Sequence, residues 1–259
     1  MKLARKNISL HWLKLSRNNF YTKDMANIFK SSIGKKLIMS ISGLFLILFL
    51  LLHATINFLA VFDAFGPNWG NEAEGLFGLG CWFMSTPVVT VMVPILAFGF
   101  IIHIIYAIYL TLGNIKARGG YKRYAVSNKA ETDSWASKNM LVLGIIVLGA
   151  LALHLTHFWA KMQLLHFQSL PQENPYTLLE LTFQNWWMVL IYLIWFGALW
   201  FHLTHGFWSA LQTMGLNNSI WIKRLKVISN IVATIIFLMF ATIAIIVFLK
   251  ANSLLWFAA

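Results

Sequence analysis

Five stretches of this chain contain no Asp, Glu, Lys or Arg: residues 37–62, 82–112, 140–160, 181–222 and 227–249. About 20 apolar residues are enough to cross the hydrocarbon core of a bilayer as a helix. A water-soluble protein could not bury five such runs and still present a solvated surface. Only 11% of the 259 residues are charged, against about a quarter in soluble domains, and they are excluded from blocks rather than diluted. The pattern predicts an all-α integral membrane protein with five crossing helices near 37–62, 82–112, 140–165, 185–213 and 225–250, forming one domain over 1–259.

Lys and Arg predict which way the helices run. Segment 1–36 holds nine of them, the connection 113–139 six and the connection 223–226 three, whereas the other connections and the C-terminal tail hold only Lys161 and Lys250. Basic loops stay in the cytoplasm, so the N-terminus is expected inside and the C-terminus outside. The +12 net charge is then a topology signal, and a nucleic-acid partner is not expected. Segment 1–36 also mixes basic residues with aromatic positions such as Trp12, Phe20 and Tyr21, which suits a surface segment or a docking face. Ser31 and Ser32 are expected to cap the first crossing helix. No signal peptide is expected, because the first apolar run starts late and is too long. Cys81 is the single cysteine, which excludes an intrachain disulfide and covalent Cys-x-x-Cys-His haem attachment.

The histidines carry the chemistry. Six of eight, His53, His103, His154, His157, His202 and His205, fall within or near four of the spans, while His11 and His166 lie outside or at an edge. An ionisable side chain at membrane depth is costly and marks function by default. No carboxylate lies inside a span to pair with them, which disfavours a proton relay. A neutral imidazole escapes much of the cost by binding a metal through one nitrogen.

Depth sharpens this reading. At about 1.5 Å per residue from each helix's inner end, His53 lies ~24 Å up and His154 ~21 Å, against ~14 Å for His103 and ~17 Å for His202. Two levels result: an outer one on spans one and three, and an inner one on spans two and four. Two b-type haems, each clamped between two helices and held non-covalently, would use this arrangement directly. Iron with both axial positions filled by imidazole favours electron passage over oxygen binding. Gly99, Gly149 and Gly197 precede the histidines by four, five and five residues, placed near the ligand face where a porphyrin needs room; glycine is also ordinary in packed membrane helices. His154-Leu-Thr-His157 recurs as His202-Leu-Thr-His205, and both members of a pair cannot be axial to one iron.

At these residues the chain resembles the di-haem cytochrome b membrane-anchor subunit of succinate dehydrogenase and fumarate reductase, in its b558-type branch. The similarity runs from Ser31-Ser32-Ile33-Gly34-Lys35-Lys36 through Met39, Gly43 and His53-x-x-x-Asn57. It continues in His103-Ile104-Ile105-Tyr106, His154-x-x-x-Phe158-Trp159 and Phe201-His202-x-x-x-Gly206-x-Trp208-Ser209. The resemblance implies a five-helix bundle enclosing two stacked b haems. It implies His53 with His154 on the outer haem iron and His103 with His202 on the inner one, His157 being the alternative to His154. It also implies flavoprotein and iron–sulfur partner subunits docked on the basic face, and a quinone (menaquinone or another) exchanging electrons with the anchor. The place is then a bacterial cytoplasmic membrane, with a higher oligomer of the complex left open.

Asn57, Glu72 and Glu74, near the outer level, are the quinone candidates. Dicarboxylate chemistry is not expected of this chain, which has neither a dinucleotide fingerprint nor cysteines for iron–sulfur clusters. Some relatives carry a buried glutamate two residues before the span-four ligand; Trp200 stands there, so a compensating proton path is not implied. A haem-b anchor of a formate dehydrogenase or hydrogenase, and a haem-free membrane transport protein, are the alternatives.

Overall fold

The structure is a computed structural model that describes residues 31–117 and 134–255; most of segment 1–36, with His11, and most of the connection 113–139 lie outside the described residues. Within them the chain is helical, without strands, and five helices are long and apolar enough to cross a membrane. They are α1 (Ser32–Ala64), α3 (Pro87–Ala117), α5 (Met140–Phe167), α7 (Trp186–Thr213) and α8 (Ser219–Ala251). Three short helices complete the described set: α2 (Leu76–Met84), α4 (Trp135–Lys138) and α6 (Pro175–Phe183).

Local chemistry sets the boundaries. Ser31 caps α1 by accepting from the Gly34 amide at 3.0 Å, whereas Ser32 is already helical. The run expected to start span two at Trp82 is split. Ser85 and Thr86 turn their hydroxyls back onto the carbonyls of Trp82 and Phe83, and Pro87 then opens α3, since a proline without an N–H suits a helix start. Pro175 likewise begins a helix: Asn174 accepts from the amides of Tyr176 and Thr177. The last span starts six residues before the expected 225, capped by Asn218 at the Trp221 amide. Lys223, Arg224 and Lys226 therefore stand on α8, not in a loop.

In lipid the exposed face of a helix is as comfortable as its buried one, so association rests on close packing and on hydrogen bonds between helices. The α7–α8 seam shows both. Ala233 and Ser229 are almost fully buried, small enough for close approach, and the Ser229 hydroxyl reaches the carbonyls of Leu203 and Thr204 at 3.0 and 3.1 Å. The α1 helix packs on both, completing a three-helix core. From this core α3 leans on α1, and α5 leans on α7, with no substantial contact between α3 and α5. Both flanking helices present large apolar side chains outward, among them Phe98, Ile105 and Ile145.

The end opposite Ser31 is closed by α2 and α6. Asp63, 5% exposed, accepts from the amides of Leu76 and Phe77 at 2.9 and 2.7 Å and from the Tyr176 hydroxyl at 2.7 Å. A carboxylate here satisfies donors at the start of α2 and opposes the positive end of its dipole. The Tyr176 oxygen in turn accepts from the Gly78 amide at 3.0 Å, and Trp69 donates to Glu180 at 2.6 Å. Burial, reinforced by the bond to Asp63, pushes the Tyr176 phenol up from its usual pKa.

Candidate functional site: two histidine pairs across the bundle

The helices lie in the order α3, α1, α7, α5, each packed on the next. The histidines connect helices that are not neighbours in that order. His53 of α1 faces His154 of α5, ring centroids 5.8 Å apart and planes at 87°. His103 of α3 faces His202 of α7, at 6.4 Å and 68°. Neither α1 with α5 nor α3 with α7 packs substantially, so each pair meets across the space between the flanking helices.

Imidazole nitrogens bind metal ions at about 2 Å, which places the centroids of two rings on opposite sides of one ion roughly 6 Å apart. Both pairs have that separation. Among the described residues no group of three or more His, Cys, Asp or Glu gathers as a metal shell. Two donors suit a metal that brings its remaining ligands with it, as iron in a macrocycle does. His202 and His205 each keep Nδ1 buried with no hydrogen-bond partner, an arrangement that costs about 1–3 kcal/mol unless something else binds there. On these observations the residues fit an axially ligated haem iron at each pair.

The surroundings differ between the levels. Around the His53–His154 pair the walls are aromatic: Phe49 stacks on His53 at 5.3 Å, Phe240 lies 6.0 Å from it, and Phe158 and Trp195 flank His154. At the other pair the Ser42 hydroxyl lies 3.4 Å from His103 Nδ1. Gly43 sits directly beneath, where a Cβ would come within 3.2 Å of the imidazole. Gly43 is thus the glycine that makes room for the His103 ring.

The three glycines expected near the ligand face have different surroundings. An added Cβ at Gly99 would collide with the Phe45 ring at 2.9 Å, so Gly99 serves the close approach of α3 to α1. Gly149 and Gly197 have nothing within 4 Å. Five residues of helix turn through about 500°, which leaves them roughly 140° away from the histidine that follows. The four-residue offset of Gly99 and the five-residue offset of the others point to different faces.

The two His-Leu-Thr-His segments behave alike. In each, the threonine hydroxyl donates three residues back, Thr156 to Leu153 and Thr204 to Phe201, the first histidine joins a pair, and the second turns elsewhere. His157 lies 3.0 Å from the Tyr192 hydroxyl and stacks on its ring. His205 meets Trp208 edge-on at 5.0 Å, its Nδ1 buried without a partner. Immediately after His154 the helix widens into a π-helical stretch, Leu155–Leu164, a feature frequent at functional sites. His166 is near Gln172 at the surface.

Of the quinone candidates, Asn57 lies one turn beyond His53, its amide donating to the His53 carbonyl at 2.8 Å and sitting 3.4 Å from the ring nitrogen. Glu72 and Glu74 are exposed on the loop between α1 and α2, Glu74 accepting from Asn71 at 3.0 Å. Sequence reasoning missed a small cavity of about 120 Å³ lined by His157, Lys161, Thr182 and Asn185 with Leu178, Leu181 and Met188. Its only sequence signal was the second histidine of the repeated segment. Trp200, two before His202, donates to Thr234 at 3.0 Å.

Fold and site together define a helical protein with five potential membrane spans and two facing histidine pairs. No family model, curated protein or solved structure matches the chain.

Proposed function

We propose that this chain is the haem-b membrane anchor of a succinate:quinone oxidoreductase, passing electrons between an iron–sulfur subunit and membrane quinone. The observation that carries the reading is the crossed pairing, His53 with His154 and His103 with His202, on four helices at two depths. These pairs would hold two b haems, which when bound supply one-electron carriers stacked through part of the membrane. The chain's own part is positional. The α1–α7–α8 core fixes His53 and His202, and α3 and α5 bring the opposing imidazoles against them. The aromatic walls of the outer pair exclude water, and Gly43 admits the His103 ring.

With basic segments inside, His103 and His202 form the cytoplasmic level, nearest a docked iron–sulfur subunit. The outer level then serves quinone. Asn57 is the nearest of the polar candidates to it, and the His157 cavity extends the set to a pair, His157 and Tyr192, able to hold or move a proton at the His157 ring. The dicarboxylate reaction belongs to the flavoprotein partner. The test is to purify the complex by a tag on this chain and record a reduced-minus-oxidised spectrum and succinate-dependent quinone reduction. A b-haem band reduced by succinate supports the proposal. A haem reduced by formate or hydrogen but not succinate assigns the anchor to another dehydrogenase, and a colourless preparation ends the haem reading.

A further inference from the structure

A cavity of about 290 Å³ lies at the basic end of the bundle between α4, α7 and α8, lined by none of the paired histidines. One wall is aromatic, formed by Trp135, Trp200, Phe201 and Trp208; facing it on α8 are Lys226 and Asn230. Lys226 is held in place by its ammonium lying 5.1 Å over the Trp208 ring. Asn230 is one turn further along the same face, exposed and in no hydrogen bond with the described residues.

An exposed amide at membrane depth is the anomaly that requires a ligand. The 33-residue α8 is about 50 Å long, against a hydrocarbon thickness of about 30 Å, so roughly 10 Å projects at each end. Lys226, about 10 Å from the start of α8, therefore stands at the edge of the hydrocarbon, with Asn230 about 6 Å deeper. Left to lipid tails, the Asn230 amide would carry unsatisfied donors into an apolar medium, at a cost of several kcal/mol. A ligand with a negative group at the edge, acceptors one turn deeper and apolar length beyond them meets both residues and the aromatic wall at once.

We infer that this cavity is a binding site for an anionic phospholipid, its phosphate on Lys226, its ester carbonyls on Asn230 and an acyl chain along Trp200 and Phe201. Basic pockets between helices at the cytoplasmic surface suit such headgroups. The site depends on the chain crossing a membrane and not on haem.

The test is native mass spectrometry of the full chain, with whatever subunits co-purify, after exchange into detergent with equal phosphatidylglycerol and phosphatidylcholine. Wild type should retain phosphatidylglycerol in at least tenfold preference. Lys226→Gln should abolish the preference, Asn230→Leu should weaken retention, and Lys223→Gln, whose side chain is outside the cavity, should leave both unchanged. Thermal unfolding of the same proteins, with and without phosphatidylglycerol, separates lost binding from misfolding, since a folded variant that no longer binds loses only the lipid-dependent increment. Equal retention of the two lipids by wild type would overturn the proposal. So would equal stabilisation by inorganic phosphate, or displacement of the bound lipid by a short-chain quinone.

Discussion

At the scale of single residues, the account turns on which imidazoles share an iron. His103→Ala should reproduce the spectral loss of His202→Ala, and His154→Ala that of His53→Ala, because an apolar pocket offers little else to replace an axial imidazole. His157→Ala, with its ring engaged by Tyr192, and His205→Ala should retain both haems. Low-temperature difference spectra of the six variants check this; His53 and His103 falling into one class would undo the pairing. A second residue-scale expectation concerns alkali. Burial, and secondarily the charge of Glu72, pushes the Cys81 thiol from 9.0 to about 12. A raised folded-state pKa contributes stability that is complete below the unfolded value and lost as pH rises through the folded one. Tyr176 acts in the same sense, since its O–H must stay protonated to donate to Asp63. The unfolding temperature in detergent should therefore fall between pH 9 and 11, and less steeply in Cys81→Ala; a flat or rising profile would contradict it.

Among the elements, the long spans were legible because charge exclusion over 20 residues has one physical meaning. The short helices were not. The apolar residues of α2 merge into the run that follows, and only the hydroxyls of Ser85 and Thr86 and the ring of Pro87 divide them. The cap formed by Asp63 joins residues 113 apart in sequence, which no local pattern reveals. The π-helical stretch after His154 has no compositional mark, whereas arithmetic on helix rise already put His53 with His154 and His103 with His202, the histidines that face each other. By the same arithmetic Gly149 and Gly197 miss the histidine face by one residue of offset, whereas Gly99 lies near it and packs against Phe45. Because Asp63 satisfies three donors at once, Asp63→Ala should destabilise the end opposite Ser31 by about 3 kcal/mol, at the upper range for bonds to a charged group. With the basic segments inside, protease added to right-side-out vesicles should cut the wild type slowly in the 66–74 loop or around 168–174. In Asp63→Ala, cleavage should accelerate at the first of these. Cleavage within 1–36 from outside would reverse the topology.

For the whole molecule, the arrangement of helices leaves a place for the two proposed haems between helices that are not packed on each other. In the core α1–α7–α8, Ser229 and the Trp200–Thr234 bond tie α7 to α8, and α1 packs on both. The flanking helices α3 and α5 each rest on a single long helix and still bring a histidine to face one on a helix they do not pack against. Such an arrangement is stable if two bound groups complete the centre of the bundle. The most direct measurement is the haem content of the purified complex per copy of this chain, by pyridine haemochrome against quantitative amino-acid analysis. Two b haems per chain, falling to one or fewer in His202→Ala and in His53→Ala, is the predicted result; a wild-type value of one or none would contradict the crossed-pair account.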